Sequence, residues 1–184
     1  MICLRSRAAR HTAVIGAVAL ERLAELVLSQ RHLEWALDQG GREHGRGHYP
    51  VMVALHSGLL VGTLAESWSR RGNRIATRPG PVEVTALAVS VGAQALRWWC
   101  ITTLGRQWNT RVVIVPGLPL VTGGPYRWIP HPNYVAVALE GISLPLSGGS
   151  PVTAAIFSVA DAALLRTRIR VEDAALGRTP GPPA

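Results

Sequence analysis

Five apolar stretches joined by arginine-bearing connections constrain this chain more than any other feature. They cover residues 13–29, 50–65, 82–104, 133–146 and 151–165. A helix that crosses the hydrocarbon core of a bilayer needs about 20 mostly apolar residues. Only 82–104 reaches that length cleanly, so the reading rests on the set of five rather than on any one stretch. The last two are linked by Ser147-Gly148-Gly149-Ser150, a turn signal that predicts a helical hairpin entering and leaving on the same side. Charged residues make up 16% of the chain, against about 25% in soluble domains. That argues against a soluble globular enzyme and excludes a disordered acidic chain. The expected fold class is all-α, an integral membrane helical bundle of about five transmembrane helices with a C-terminal helical hairpin. Residues 1–176 read as one domain, and 177–184 (GRTPGPPA) read as a disordered tail.

The formal charge is +8, and all of the basic residues are arginine. No basic helix, zinc spacing or aromatic-interleaved patch accompanies them, so a nucleic-acid partner is not expected. Cys3 and Cys100 are too few for a disulfide framework and do not form a C-x-x-C pair. Arg5, Arg7 and Arg10 before a short apolar run ending near Ala17-Val18-Ala19 resemble a signal peptide, but hydrophobic periodicity resumes after Glu21. With five spans, ten arginines fall on the side of the C-terminus and seven on the other. By the positive-inside rule the C-terminus is expected in the cytoplasm.

Ionisable groups inside membrane spans are expensive and mark either internal pairs or function. Glu21, Glu25, His56, Glu66, Arg97, Glu140 and Asp161 are the candidates. Arg22 is three residues before Glu25, within pairing reach on one helix face, so an internal ion pair is expected there. Asp161 is expected to face its hairpin partner. The segment 39–50 carries His44, His48 and Glu43 among four glycines. H-x-x-x-H on a glycine-rich loop without a third ligand does not specify a metal site, so no metal is expected.

The segment 104–140 carries the most chemistry. Residues 112–115 read as a short strand or an interfacial extended piece, and Gly123-Gly124-Pro125 as a turn. Pro130 and Pro132 bracket His131 and hold the backbone extended, with Asn133 expected to cap the following helix. The picture is a histidine on a rigid elbow at the mouth of an apolar helix, with Tyr134 one step inside. Helix N-termini offer backbone donors and a positive dipole end to an anionic group. Trp108 and Trp128 are expected at the membrane interface.

Gly124-Pro125-Tyr126-Arg127 followed by His131-Pro132-Asn133-Tyr134 resembles the signature of the isoprenylcysteine carboxyl methyltransferase family. A second family element, R-x-x-x-E-E, is matched by Arg168-Ile169-Arg170-Val171-Glu172-Asp173. The N-terminal half resembles bacterial members through Glu21-Arg22, Glu25-Leu26, Gly40-Gly41, His48-Tyr49, Met52-Val53 and His56, so the likeness covers most of 20–176. The resemblance implies an integral membrane O-methyltransferase that uses S-adenosylmethionine in a cytosolic pocket and takes a lipidic acceptor from the bilayer. Its acceptor would be the carboxylate of a prenylated cysteine, or the acidic hydroxyl of a polyketide such as an alkylpyrone. The arginine-only, alanine-rich composition fits a GC-rich bacterial genome and hence a bacterial plasma membrane. By position, Tyr126, His131, Pro132, Asn133, Tyr134 and Glu172 would line the cofactor pocket. His131, Arg168 and Glu172 would serve catalysis, His131 as the base if the acceptor needs one.

Two positions depart from the family pattern: Pro130 replaces the arginine before His-Pro, and Asp173 replaces the second glutamate. Alternative readings of the same elbow are an NADPH-dependent membrane reductase of the sterol-reductase kind, or a non-catalytic membrane protein that keeps the fold. A longer helical body and further phosphate-binding cations would be needed for the reductase.

Overall fold

The computed structural model describes residues 2–70 and 79–177. The arginines at 71, 74 and 78 that entered the orientation count, and the tail from 178 onward, lie outside the described residues. Five helices carry the chain: α1 (Ile2–Asp38), α2 (Tyr49–Ser69), α3 (Pro81–Leu104), α4 (Pro132–Ser147) and α5 (Pro151–Ala175). Each expected apolar stretch is one of them. The all-α expectation needs one amendment: β1 (Arg42–His44) pairs antiparallel with β2 (Val112–Ile114), with Glu43 opposite Val113. Of the two readings of 112–115, a strand or an interfacial extended piece, the structure gives the strand, over Val112–Ile114, and part of the glycine-rich loop supplies its partner.

The segments Arg46–Ser69 and Pro81–Gln107 are long and apolar enough to cross a membrane. At a rise of about 1.5 Å per residue, α3 spans roughly 36 Å, whereas α4 covers roughly 24 Å, short of a hydrocarbon core about 30 Å thick. α1 and α5 carry too many charges to qualify by composition. The distribution of polarity is nevertheless inverted relative to a soluble protein. Val61, Val91 and Val159 are 66%, 63% and 76% exposed, whereas Glu25, Arg97, Glu140, Asp161 and Arg168 are at most 6% exposed. A bundle with aliphatic residues outside and ion pairs inside suits a lipid solvent.

α3 packs chiefly on α4, α4 on α5, and α2 on α5. The α4–α5 crossing is tight. A Cβ at Gly141 would lie 2.2 Å from the Phe157 ring, so only glycine admits that ring. Glu66, one of the ionisable residues singled out in the sequence, ends α2 by capping α5. Its carboxylate accepts the Val152 and Thr153 backbone N–H groups at 3.1 and 2.7 Å, and the Thr153 hydroxyl at 2.8 Å. Helix N-termini leave such donors without intrahelical partners, and a carboxylate there also meets the positive end of the helix dipole.

Candidate active site

The Pro130-His131-Pro132 elbow places α4. α4 begins at Pro132, which tolerates the first helical turn because it has no N–H to satisfy. The cap is His131, not Asn133: the His131 carbonyl accepts the Tyr134 and Val135 N–H groups at 3.1 and 3.4 Å. No side-chain bond completes the cap. Tyr134, in the first turn of α4, sends its hydroxyl to Glu172 Oε2 at 2.5 Å. The His131 ring stacks on the Tyr134 ring, centroids 5.5 Å apart, and His131 Nε2 lies 3.1 Å from Asp173 Oδ1. The start of α4 is thereby clamped to the end of α5.

Arg168 and Glu172 do not pair with each other, although they are four apart on α5. Arg168 turns inward, 5% exposed, and donates to the Thr110 carbonyl at 2.8 Å and the Met52 sulfur at 3.1 Å. Its guanidinium also lies 5.7 Å from the Tyr134 ring centroid. Thr110 is itself held from α1, through its N–H to Ser29 Oγ at 3.0 Å, and Asn109 Nδ2 donates to the Ser29 carbonyl at 3.1 Å. Helices α1, α4 and α5 therefore meet on the loop before β2.

A cleft opens where they meet. Tyr126, His131, Asn133, Tyr134, Arg168 and Glu172 all line it, six of the seven residues singled out from the sequence. Pro132 does not reach it; the ring is fully buried as the first residue of α4. Burial, and next to it Cys100, pushes the Tyr126 phenol well above its ordinary value, so it stays a neutral donor. The opposite wall, made by Trp35, Arg106, Arg111 and Leu118 among others, gave no motif in the sequence. Arg111 pairs with Glu43 at 2.9 Å and lies 4.0 Å from the Tyr49 ring centroid.

A second chamber lies behind the first, between the helices, and its lining is mostly apolar: Leu26, Val53, Leu60, Val137, Leu164 and their neighbours. The two share one wall, built of Trp108, Asn109, Asn133, Tyr134 and Arg168. His131 lines only the first chamber, and His56 and Asp161 only the second. Trp108 is not at an interface as expected. It is 2% exposed, because the His32 ring binds its carbonyl at 2.7 Å and packs edge-on against its indole. Its indole N–H and Asn133 Oδ1 are buried without hydrogen-bond partners among the described residues.

The far end of the second chamber holds the expected ion pair, enlarged. Arg22 pairs with Glu25 and reaches Glu140 at 2.6 Å, and Arg97 reaches Glu140 at 2.8 Å. Asp161 does not merely face its hairpin partner; it is 2% exposed on the chamber wall. Among the described residues no group of three or more His, Cys, Asp or Glu could hold a metal ion.

The isoprenylcysteine carboxyl methyltransferase (ICMT) family profile matches residues 86–178, half of the chain. An uncharacterized protein of Bacillus subtilis (strain 168), YpbQ, is 35% identical over 163 residues, which is 89% of this chain and 94% of the relative. No solved structure matches.

Proposed function

The chain belongs to the isoprenylcysteine carboxyl methyltransferase family, and from that premise we propose that it transfers a methyl group from S-adenosylmethionine to an oxygen of a lipidic acceptor. Family membership implies a methyltransferase and a membrane setting; the donor, the site residues and the orientation are our reading. The observation that carries it is the pair of chambers divided by one wall. A polar donor and an apolar acceptor need separate environments and a single point of contact.

The first chamber suits the cofactor by its chemistry. Glu172 and the faces of Tyr126 and Tyr134 offer negative charge and π density to a sulfonium or ammonium group. Arg106 and Arg111 offer cations to a carboxylate, and the partnerless Asn133 Oδ1 offers an acceptor. When bound, the cofactor supplies an electrophilic methyl group on a positively charged sulfur. The protein then has to hold the acceptor oxygen in line with that methyl group and exclude water. Tyr134, Asn133 and Arg168 stand at the shared wall and do the orienting. His131 props Tyr134 from below and ties the elbow to Asp173. The second chamber, lined by aliphatic side chains between helices, admits an acyl or prenyl tail from the bilayer.

We place the cofactor side toward the cytoplasm, in a bacterial plasma membrane, with residues 1–176 acting as one domain. The test is binding of S-adenosylhomocysteine to the detergent-purified protein by calorimetry. Micromolar affinity, weakened at least tenfold in His131→Ala, is expected. A folded, monodisperse sample that binds none overturns the assignment.

A further inference from the structure

Of the side chains in the wall between the two chambers, three are committed to partners inside the protein. Asn109 donates to the Ser29 carbonyl at 3.1 Å, and its Oδ1 accepts the Ser29 hydroxyl at 2.8 Å and the Arg111 backbone N–H at 2.9 Å. Tyr134 is bonded to Glu172, and Arg168 to Thr110 and Met52. The other two, Trp108 and Asn133, carry buried polar atoms without a hydrogen-bond partner among the described residues: the Trp108 indole N–H and Asn133 Oδ1. One is a donor and the other an acceptor, and both stand where the chambers meet. A buried indole N–H ordinarily finds a partner, and Trp108 is 2% exposed. Its setting is also fixed. The His32 ring binds its carbonyl at 2.7 Å and packs edge-on against the indole, its backbone N–H donates to the Gly105 carbonyl at 3.1 Å, and Asn109 and Thr110 are fastened to Ser29 of α1.

The apolar chamber offers an incoming head group few other donors. Arg22 pairs with Glu25 and Glu140; Arg97 pairs with Glu140 and, through Nε at 3.7 Å, with Glu25; His56 Nδ1 lies 2.9 Å from the Met52 carbonyl. The partnerless oxygens of Asn133 and Asp161 accept rather than donate. The cofactor chamber differs, because Arg106 and Arg111 line it and Trp108 is not needed there to meet a carboxylate.

We propose that the Trp108 indole N–H donates to an oxygen of the acceptor's head group and so fixes the reacting end of the lipid at the wall between the chambers. The proposal rests on the methyltransferase reading above. The chemistry it requires is an oxygen lone pair beside the oxygen that takes the methyl group. A carboxylate offers its second oxygen and a hydroxypyrone its ring carbonyl, so either head can make the bond while the reacting oxygen stays bare. A hydrogen bond there orients the head without blunting the nucleophile, and orientation is the main work left to the protein. An indole suits the place: its bicyclic ring packs with an apolar tail while its single N–H points in one direction.

The test is nuclear magnetic resonance of the detergent-purified protein, labelled on its six tryptophans and saturated with S-adenosylhomocysteine. The indole N–H signal missing from Trp108→Phe, or from protein in which benzothienylalanine replaces Trp108, is that of Trp108. The probes are N-acetyl-S-farnesylcysteine and a 4-hydroxy-2-pyrone with a long alkyl chain; an alkylbenzene of similar length is the control without oxygen. At least one oxygen-bearing probe should move the Trp108 signal downfield and slow its exchange with solvent, and the alkylbenzene should do neither. Benzothienylalanine keeps the bicyclic ring and lacks the N–H, so calorimetry should show that probe binding about tenfold more weakly, the scale of one hydrogen bond. Alkylbenzene and S-adenosylhomocysteine affinities should be unchanged. A Trp108 signal that moves equally with the alkylbenzene, or that a bound oxygen-bearing probe leaves in place, overturns the proposal and leaves the methyltransferase reading standing. So does a signal that responds to S-adenosylhomocysteine alone, or binding of neither oxygen-bearing probe. Absent S-adenosylhomocysteine binding in the wild type would instead remove the reading beneath it.

Discussion

Glu140→Gln is the substitution that most directly tests the internal charge cluster. The side chain is 4% exposed. It accepts Arg22 Nη2 at 2.7 and 2.6 Å through its two oxygens, and Arg97 Nη2 at 2.8 Å. Arg97 Nε is a further 3.7 Å from Glu25. The two cations are therefore balanced by two anions. Glutamine keeps the volume and one acceptor oxygen, so no cavity opens; what changes is that two guanidinium groups face a single carboxylate. Removing one partner of a buried ion pair costs about 3–5 kcal/mol. A chain of 150–250 residues shifts its melting temperature by about 2–4 °C per kcal/mol, so the expected drop is roughly 6–20 °C. Scanning fluorimetry of the detergent-solubilised protein measures it. The double variant Arg97→Met/Glu140→Met leaves Arg22 with Glu25, one charge of each sign, and should recover at least half of the loss. A melting temperature for Glu140→Gln within 4 °C of the wild type would refute the reasoning, because it would mean water screens the cluster.

Glu66→Ala strips three donors at the start of α5 of their shared carboxylate and should cost about 1–2 kcal/mol, the range measured for lost caps, read as a fall in melting temperature. Tyr134→Phe removes the hydrogen bond to Glu172 while keeping the ring; with charged-group bonds worth about 1.5 kcal/mol to stability, the melting temperature should fall by a few degrees, and S-adenosylhomocysteine affinity measured by calorimetry should weaken as Glu172 loses its fixed position. Gly141→Ala forces a methyl group into the Phe157 ring and should cost about 1–3 kcal/mol; adding Phe157→Leu should restore part of it, and an unchanged melting temperature in the single variant would contradict the close α4–α5 crossing.

The helices were legible because four of the five apolar stretches begin beside a proline or after a proline-bearing elbow. Pro81, Pro132 and Pro151 each stand in the first turn of a helix. Their number as helices followed; their number as spans did not. Hydropathy alone cannot separate a crossing helix from α4, whose sixteen residues are too few to cross unaided. The β1–β2 ribbon was half visible: Val112–Ile114 are β-branched as strand residues tend to be, but Arg42-Glu43-His44 carries no such signal, and only the pairing makes it a strand. The cap at His131 rather than Asn133 follows from Pro132, whose fixed φ already suits a helix.

The site divided along a similar line. The elbow and the R-x-x-x-E-D segment are local patterns, so the sequence pointed to His131, Tyr134, Arg168 and Glu172, and the fold brings them to one cleft. It could not say that Arg168 turns from Glu172 toward Thr110, because that depends on where the loop before β2 falls. Nor could it distinguish Trp108, buried by His32 across more than seventy residues, from the exposed Trp128. Asp161 shows the general case. In the sequence it was one acid among several inside apolar helices. Four acids on that list, Glu21, Glu25, Glu66 and Glu140, have bonded partners that explain them structurally. Asp161 lines a chamber with no hydrogen bond to its buried oxygen. Elimination of that kind requires every partner to be located in three dimensions, which no local pattern in the sequence supplies.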